Sequence, residues 1–267
     1  MTLSPLQTWF RLLRVGSHLI YGAAITGGVY PWVSCATRAR LRQRWSRVLL
    51  AILNVRLRVS GHQWPEQGLL VSNHISWLDV IVISSIYNPV FVCKDEVRRW
   101  PLVGWMCARN EALFIDRRRR NDARRVSSEI AERLRRRMLV AAFPEGTTSE
   151  GTAVLPFRRA LLQAAVDAGS HTLPLALRYL DAQERRTTSP SYCGDATLWE
   201  SLRAIAAQSA LTAEVRALPP IASEGRTRRA VAEEAHAGIR AHLGAAQRHA
   251  NRDAAPVGEL EPAVIFP

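Results

Sequence analysis

Short apolar runs separated by helix-length segments restrict the middle of this chain to one class of fold. Residues 69–72, 89–92, 112–115, 139–143 and 172–177 are runs rich in Leu, Val, Ile, Phe and Ala, with the length of buried strands. Residues 55–60 alternate as a half-buried strand does. Between 116 and 138, Ala123, Val126, Ile130, Leu134 and Met138 share one helical face, while Arg124, Arg125, Arg133, Arg135, Arg136 and Arg137 take the others. A second helix is expected near 157–168. Alternating strands and helices imply an α/β fold, a mixed, largely parallel sheet flanked by helices. Ligands of such sheets gather at the carboxyl ends of the strands, so the turns after the apolar runs are where chemistry is sought.

The turn after 69–72 reads Asn73-His74-Ile75-Ser76-Trp77-Leu78-Asp79. On one regular helix His74 and Asp79 would point about 140° apart and could not meet. With a strand ending near Ser72 and a helix starting near Ser76, the carboxylate can reach back to the imidazole. A carboxylate on Nδ1 fixes the tautomer of a general base that works at neutral pH. The pair also fits a helix-capping Asp beside an unrelated loop His. No Gly-x-Ser-x-Gly elbow occurs, so a hydroxyl activated here belongs to a substrate. The run 139–143 leads into Pro144-Glu145-Gly146-Thr147-Thr148-Ser149, a second turn at the same end of the sheet.

The formal charge of +13 comes from 36 basic and 23 acidic residues, and Lys94 is the only lysine. Such a balance implies an anionic partner: nucleic acid, an acidic membrane surface or a phosphorylated substrate. The four cysteines lack both Cys-x-x-Cys pairing and metal-ligand spacing with His, which fits a reduced, cytosol-facing domain with no metal site. Residues 15–37 carry no charge, yet Gly16, Gly22, Gly27, Gly28 and Pro31 make a poor spanning helix. Arginines on both flanks favour a shallow re-entrant or in-plane insertion, and a single span with its C-terminal side inside also obeys the charge rule. A cleaved leader is disfavoured by the bulky Trp32 at the would-be processing site. Leu41, Trp45, Val48, Leu49 and Ile52 then mark an amphipathic helix for the core or a membrane surface. The expected organisation is membrane-associated helices over 1–54, a catalytic domain over 55–245 and a disordered tail over 246–267, with Pro256, Pro262 and Pro267.

Four ordered blocks resemble the glycerolipid acyltransferase superfamily, in particular its bacterial 1-acylglycerol-3-phosphate acyltransferase type. They are Asn73-His74 with Asp79, Phe114-Ile115-Asp116-Arg117, Phe143-Pro144-Glu145-Gly146-Thr147 and Leu173-Pro174-Leu175. Lys94 and Glu96 with Pro101 and Gly104 resemble the segment between the first two blocks. The resemblance covers about 55–180, with a weaker similarity through Tyr192-Cys193-Gly194-Asp195 and the following helix.

The resemblance implies that His74 deprotonates a lysolipid hydroxyl while Asp79 orients the ring. The oxygen attacks an acyl thioester of coenzyme A or acyl carrier protein, without an acyl-enzyme intermediate. Main-chain N–H groups around Gly146 and Thr147 are oxyanion donors. Glu145 organises the acceptor end or braces loop amides, and Lys94 and Arg117 bind the acceptor phosphate. It implies no metal or redox cofactor, no nucleic acid, and a place at the inner membrane with the catalytic domain on the cytoplasmic side.

One departure stands out: the family's third block ends Glu-Gly-Thr-Arg, and here Thr148 replaces the arginine, removing a charge-assisted contact. Either Lys94 and Arg117 hold the phosphate alone, or the acceptor lacks a phosphomonoester, as in lyso-ornithine lipid acyltransferases. Readings from other classes are a basic nucleic-acid-binding protein, with steep salt dependence and indifference to His74→Ala, and a non-catalytic lipid-binding relative.

Overall fold

The computed structural model describes residues 2–63, 66–116 and 120–253. An eight-stranded sheet runs in the order β1 (Val55–Gly61), β7 (Leu211–Ala217), β6 (His171–Leu180), β2 (Gly68–Ser72), β5 (Leu139–Ala142), β3 (Val90–Lys94) and β4 (Leu113–Ile115), with β8 (Ile221–Ala222) paired to β6 off this path. From β6 to β4 every neighbouring pair is parallel, while β7 runs antiparallel to β6 and parallel to β1. The α/β, largely parallel reading therefore holds.

Strand β2 shows why the sheet has two covered faces. Its successive side chains point to opposite sides. Leu70 joins Leu12, Val15, Leu49, Leu50, Leu78 and Val82 from α1 (Pro5–Gly28), α2 (Cys35–Ile52) and α3 (Leu78–Ile86). Leu69 and Val71 join Val126, Ile130, Ala164, Val231 and Ala235 from α5 (Arg120–Arg135), α6 (Gln163–Asp167) and α8 (Arg228–Asp253). Each fully buried Leu or Val here contributes roughly 1.5–3 kcal/mol. Two further helices, α4 (Val103–Arg109) and α7 (Leu198–Ala206), complete the set among the described residues.

Several expectations are corrected. Only residues 163–167 of the segment 157–168 form an α-helix. The Arg158 N–H instead donates to the Pro144 carbonyl (2.7 Å), which draws the preceding chain against the Glu145 turn. Strand β1 is not half-buried: as the sheet edge it buries Val55 alone. On α2 Leu49 and Ile52 are buried as the stripe requires, but Val48 is exposed and Ser46 and Leu50 are buried in addition. Its polar residues turn inward, where Gln43 and Arg47 donate to the Ile86 and Ser85 carbonyls (2.8 and 2.9 Å) at the end of α3. Helix α8 continues to Asp253, past the expected start of the tail at 246, and 254–267, with its three prolines, lies outside the described residues.

The N-terminal glycines do not interrupt α1. Its buried edge is Leu12, Val15, His18, Gly22 and Thr26, a helical stripe against α2. Gly22 is there because a Cβ would collide with the Trp45 indole, 2.9 Å from Cε2. Trp45 stacks on His18, and its Nε1 donates to the His18 carbonyl (3.1 Å). Pro31 falls in the turn Tyr30–Trp32, just after α1 ends. Among the described residues no helix is long and apolar enough to cross a membrane.

Candidate active site

The parallel pairing of β2, β5, β3 and β4 brings the residues at their carboxyl ends to one end of the sheet. His74 follows β2, Glu145 follows β5, Lys94 ends β3 and Asp116 follows β4. Arg117 lies outside the described residues.

The His74/Asp79 pair forms across a bend, as its spacing requires. Strand β2 ends at Ser72 and α3 starts at Leu78. Asp79 Oδ2 lies 2.8 Å from His74 Nδ1 and accepts the N–H groups of Ile75 (2.7 Å) and Ser76 (3.0 Å). Its other oxygen accepts the Tyr179 hydroxyl at 2.8 Å. With every other contact on this carboxylate a donor, Nδ1 carries the ring proton and Nε2 presents a lone pair. Asp79 is fully buried, whereas the His74 side chain keeps 18% of its surface exposed. The imidazole stacks on Phe143, centroids 3.8 Å apart and planes 11° apart, so the third block forms the wall of the first. Asn73 locks the loop to β6, accepting the Leu177 N–H and donating to its carbonyl, both at 2.9 Å.

Tyr179 is a member of the site that sequence reading missed. It continues the inward ladder Leu173, Leu175 and Leu177 on β6. A phenol ending an aliphatic ladder needs a buried polar partner, and that was the available signal. Burial, then the nearby Asp79 charge and their hydrogen bond, holds its pKa well above the usual phenol value. It is a fixed donor.

Glu145 is buried, and neither carboxylate oxygen has a hydrogen-bonded partner among the described residues. Desolvation raises its pKa to about 8, and the His74 and Leu155 main-chain groups, which favour the carboxylate without reaching hydrogen-bond geometry, offset this only in part. Gly146 makes the turn at φ +81, a conformation suited to glycine, with its N–H donating to the Phe143 carbonyl (3.1 Å). That N–H is thus engaged within the turn. Thr147 is exposed, and among the described residues its N–H makes no main-chain hydrogen bond. The Thr148 hydroxyl donates to the Tyr192 carbonyl, so it has no proton to offer an acceptor phosphate. Tyr192 N–H and Ser149 N–H bond the Ile75 and His74 carbonyls (3.0 and 2.9 Å), which fastens the weakly similar 192–195 segment to the His74 loop. Lys94 is exposed at its strand end.

Fold and dyad together define an α/β protein with a carboxylate-braced histidine at the carboxyl ends of its parallel strands. The profile of the Acyltransferase family matches residues 56–178, and the chain belongs to that family. The 1-acyl-sn-glycerol-3-phosphate acyltransferase of Neisseria meningitidis serogroup B is 42% identical over 149 residues, 55% of this chain and 58% of that protein. The chain thus spans less than two thirds of that relative. The lyso-ornithine lipid O-acyltransferase of Pseudomonas aeruginosa is 33% identical over 243 residues, 87% of this chain and 93% of that protein. The crystal structure of the 1-acyl-sn-glycerophosphate (LPA) acyltransferase PlsC from Thermotoga maritima shares the fold, at TM-score 0.67 and 19% identity, over 90% of this chain and 95% of that one.

Proposed function

We propose that this protein transfers a fatty acyl group from a thioester of coenzyme A or acyl carrier protein to the free hydroxyl of 1-acylglycerol-3-phosphate, giving phosphatidic acid. The observation that carries this reading is the His74 imidazole, pinned at Nδ1 by a buried, fully hydrogen-bonded Asp79 and open at Nε2. Nε2 takes the hydroxyl proton as the oxygen attacks the thioester carbonyl. The Thr147 N–H is the main-chain donor suited to the developing oxyanion. As the C–S bond breaks, the imidazolium returns its proton to the departing thiolate. General-base assistance of this kind is worth roughly 10²- to 10⁴-fold.

A second acceptor, lyso-ornithine lipid, is favoured by one observation. Where the family pattern has an arginine, Thr148 brings no charge and its hydroxyl is already bonded to Tyr192.

We further infer that the N-terminal helix lies in a membrane interface on the cytoplasmic side. Leu6, Trp9, Phe10, Leu13 and Ile20 on α1 are exposed, as is Trp32 just after it, and Trp9 sits 6.1 Å from the exposed Trp199 of α7. An outward apolar face carrying tryptophans suits an in-plane helix.

The test is acyl transfer from a radiolabelled acyl-thioester by membranes carrying wild-type or His74→Ala protein, with lysophosphatidic acid and lyso-ornithine lipid supplied in parallel. Wild-type activity lost in the mutant supports the reading, and the acceptor used selects between the two lipids. A wild-type protein inactive with both, under either donor, refutes it.

A further inference from the structure

Resting on the lysolipid acyltransferase reading, the missing arginine of the third block directs attention to whichever cation stands beside the Glu145-Gly146-Thr147 turn. Arg158 crosses that turn: a Cβ placed on Gly146 would lie 2.6 Å from its Nε and 3.1 Å from its Cζ. The glycine is thus needed for a second reason, because any side chain would expel the guanidinium. The Arg158 backbone is tied to the same turn through its N–H bond to Pro144. Its side chain is exposed, and among the described residues it has no carboxylate partner. Several other arginines are engaged, while Lys94 stays exposed at the end of β3. Arg159 pairs with Glu233 at 3.5 Å, Arg178 with Glu214, and Arg125 with Asp122 at 2.7 Å.

We propose that Arg158 is the acceptor-specificity residue, holding the anionic headgroup of the lysolipid against the Glu145-Gly146-Thr147 turn in place of the guanidinium that Thr148 lacks. An arginine reaching in from ten positions further along the chain offers the same forked donor as one at position 148. Its position over Gly146 places the charge next to the loop walled by Phe143 and His74, so a bound headgroup there brings the adjacent hydroxyl toward Nε2. Two headgroups satisfy this chemistry, a phosphomonoester and an amino-acid carboxylate, and Arg158 recognises the anionic oxygens common to both.

The experiment uses the purified full-length protein as wild type, Arg158→Ala, Arg158→Lys and Thr148→Arg/Arg158→Ala. Initial rates are measured with lysophosphatidic acid and lyso-ornithine lipid in separate arms, varying acceptor and acyl-CoA in turn. Loss of a charge-assisted contact predicts that Arg158→Ala raises KM for the acceptor in use by about tenfold or more, with kcat within a few-fold and acyl-CoA KM unchanged. Arg158→Lys recovers part of the loss, and Thr148→Arg in the Ala background recovers more for a phosphate than for a carboxylate. An active enzyme whose acceptor KM stays within twofold in Arg158→Ala overturns the assignment, as does a rise confined to acyl-CoA KM. Should Arg158→Ala fail to fold by thermal melting, Arg158→Gln, which keeps a long polar side chain without the charge, decides by the same KM criterion. Wild-type protein that acylates neither acceptor overturns the underlying acyltransferase reading and this assignment with it.

Discussion

Replacing Glu145 with glutamine tests the electrostatics of the site most directly. Its carboxyl is buried without hydrogen-bonded partners, and its pKa rises from 4.5 to about 8 in the folded chain. Below pH 4.5 the group is protonated in both folded and unfolded chains and adds no pH dependence. Between 4.5 and about 8 the folded chain holds a proton that the unfolded chain releases, so this group lowers stability as pH rises, and the effect levels off above 8. At about 1.4 kcal/mol per pH unit, the cost at pH 7 is about 3 kcal/mol. Glu145→Gln has nearly the same shape and cannot ionise. Any penalty for burying its amide is independent of pH, so the signal is the slope. The stability difference between variant and parent should move in the variant's favour by about 3 kcal/mol from pH 4.5 to pH 7, or roughly 6 to 12 °C in Tm for a chain of this size. Urea unfolding in detergent micelles, followed by far-UV circular dichroism at half-unit pH steps, measures it. If acyl transfer falls while stability rises, the cost is being carried for function. A difference that stays flat from pH 4.5 to 8 would refute the reasoning and make Glu145 a loop brace already satisfied in the folded protein.

Other consequences follow from named contacts. Tyr179→Phe leaves Asp79 Oδ1 buried and unpaired, and should cost about 1–3 kcal/mol in urea unfolding while leaving the His74 contact in place. Asp79→Asn keeps the shape but presents an amide to Nδ1, and should lower kcat by at least 10²-fold in the acyl-transfer assay, with little change in acceptor KM. Gly22→Ala drives a methyl into Trp45 and should loosen α1 from α2 at a cost of about 1–3 kcal/mol, seen as faster proteolysis near residues 20–30. Trp9→Glu places a charge on the exposed apolar face of α1 and should shift the protein from pellet to supernatant in a vesicle-sedimentation assay at unchanged Tm.

How much of this was legible in the chain depended on whether a signal was local. Five apolar runs of strand length became strands because a fully buried parallel strand needs a short uninterrupted run, and that run is visible residue by residue. The His74/Asp79 bend was equally readable, since its spacing excludes every regular element. Strand β7 lies outside the strands expected from sequence: Leu211–Ala217 alternates apolar with polar residues rather than forming an unbroken apolar run, and its place depends on antiparallel pairing with β6, including Arg178 opposite Glu214. Arg11, one of the arginines flanking residues 15–37, also bonds the Ala206 and Gln208 carbonyls (3.0 and 2.6 Å) at the C-terminal end of α7, a partner some 195 residues away. The segment 157–162 looked helical by composition and was captured by a turn elsewhere in the fold through one N–H bond to Pro144.

That capture also explains the site's main departure from its family. Position 148 reads as a lost charge when taken alone. In the folded chain Thr148 is a tether to Tyr192, and the same Pro144 bond that prevents a helix brings Arg158 across Gly146. A cation lost at one position of a loop and a cation laid over that loop from another are separate facts in the sequence, and only the fold makes them one. The consequence is an exchange of roles: Thr148 fixes the loop, leaving recognition of the headgroup to a guanidinium whose reach is set by the glycine beneath it.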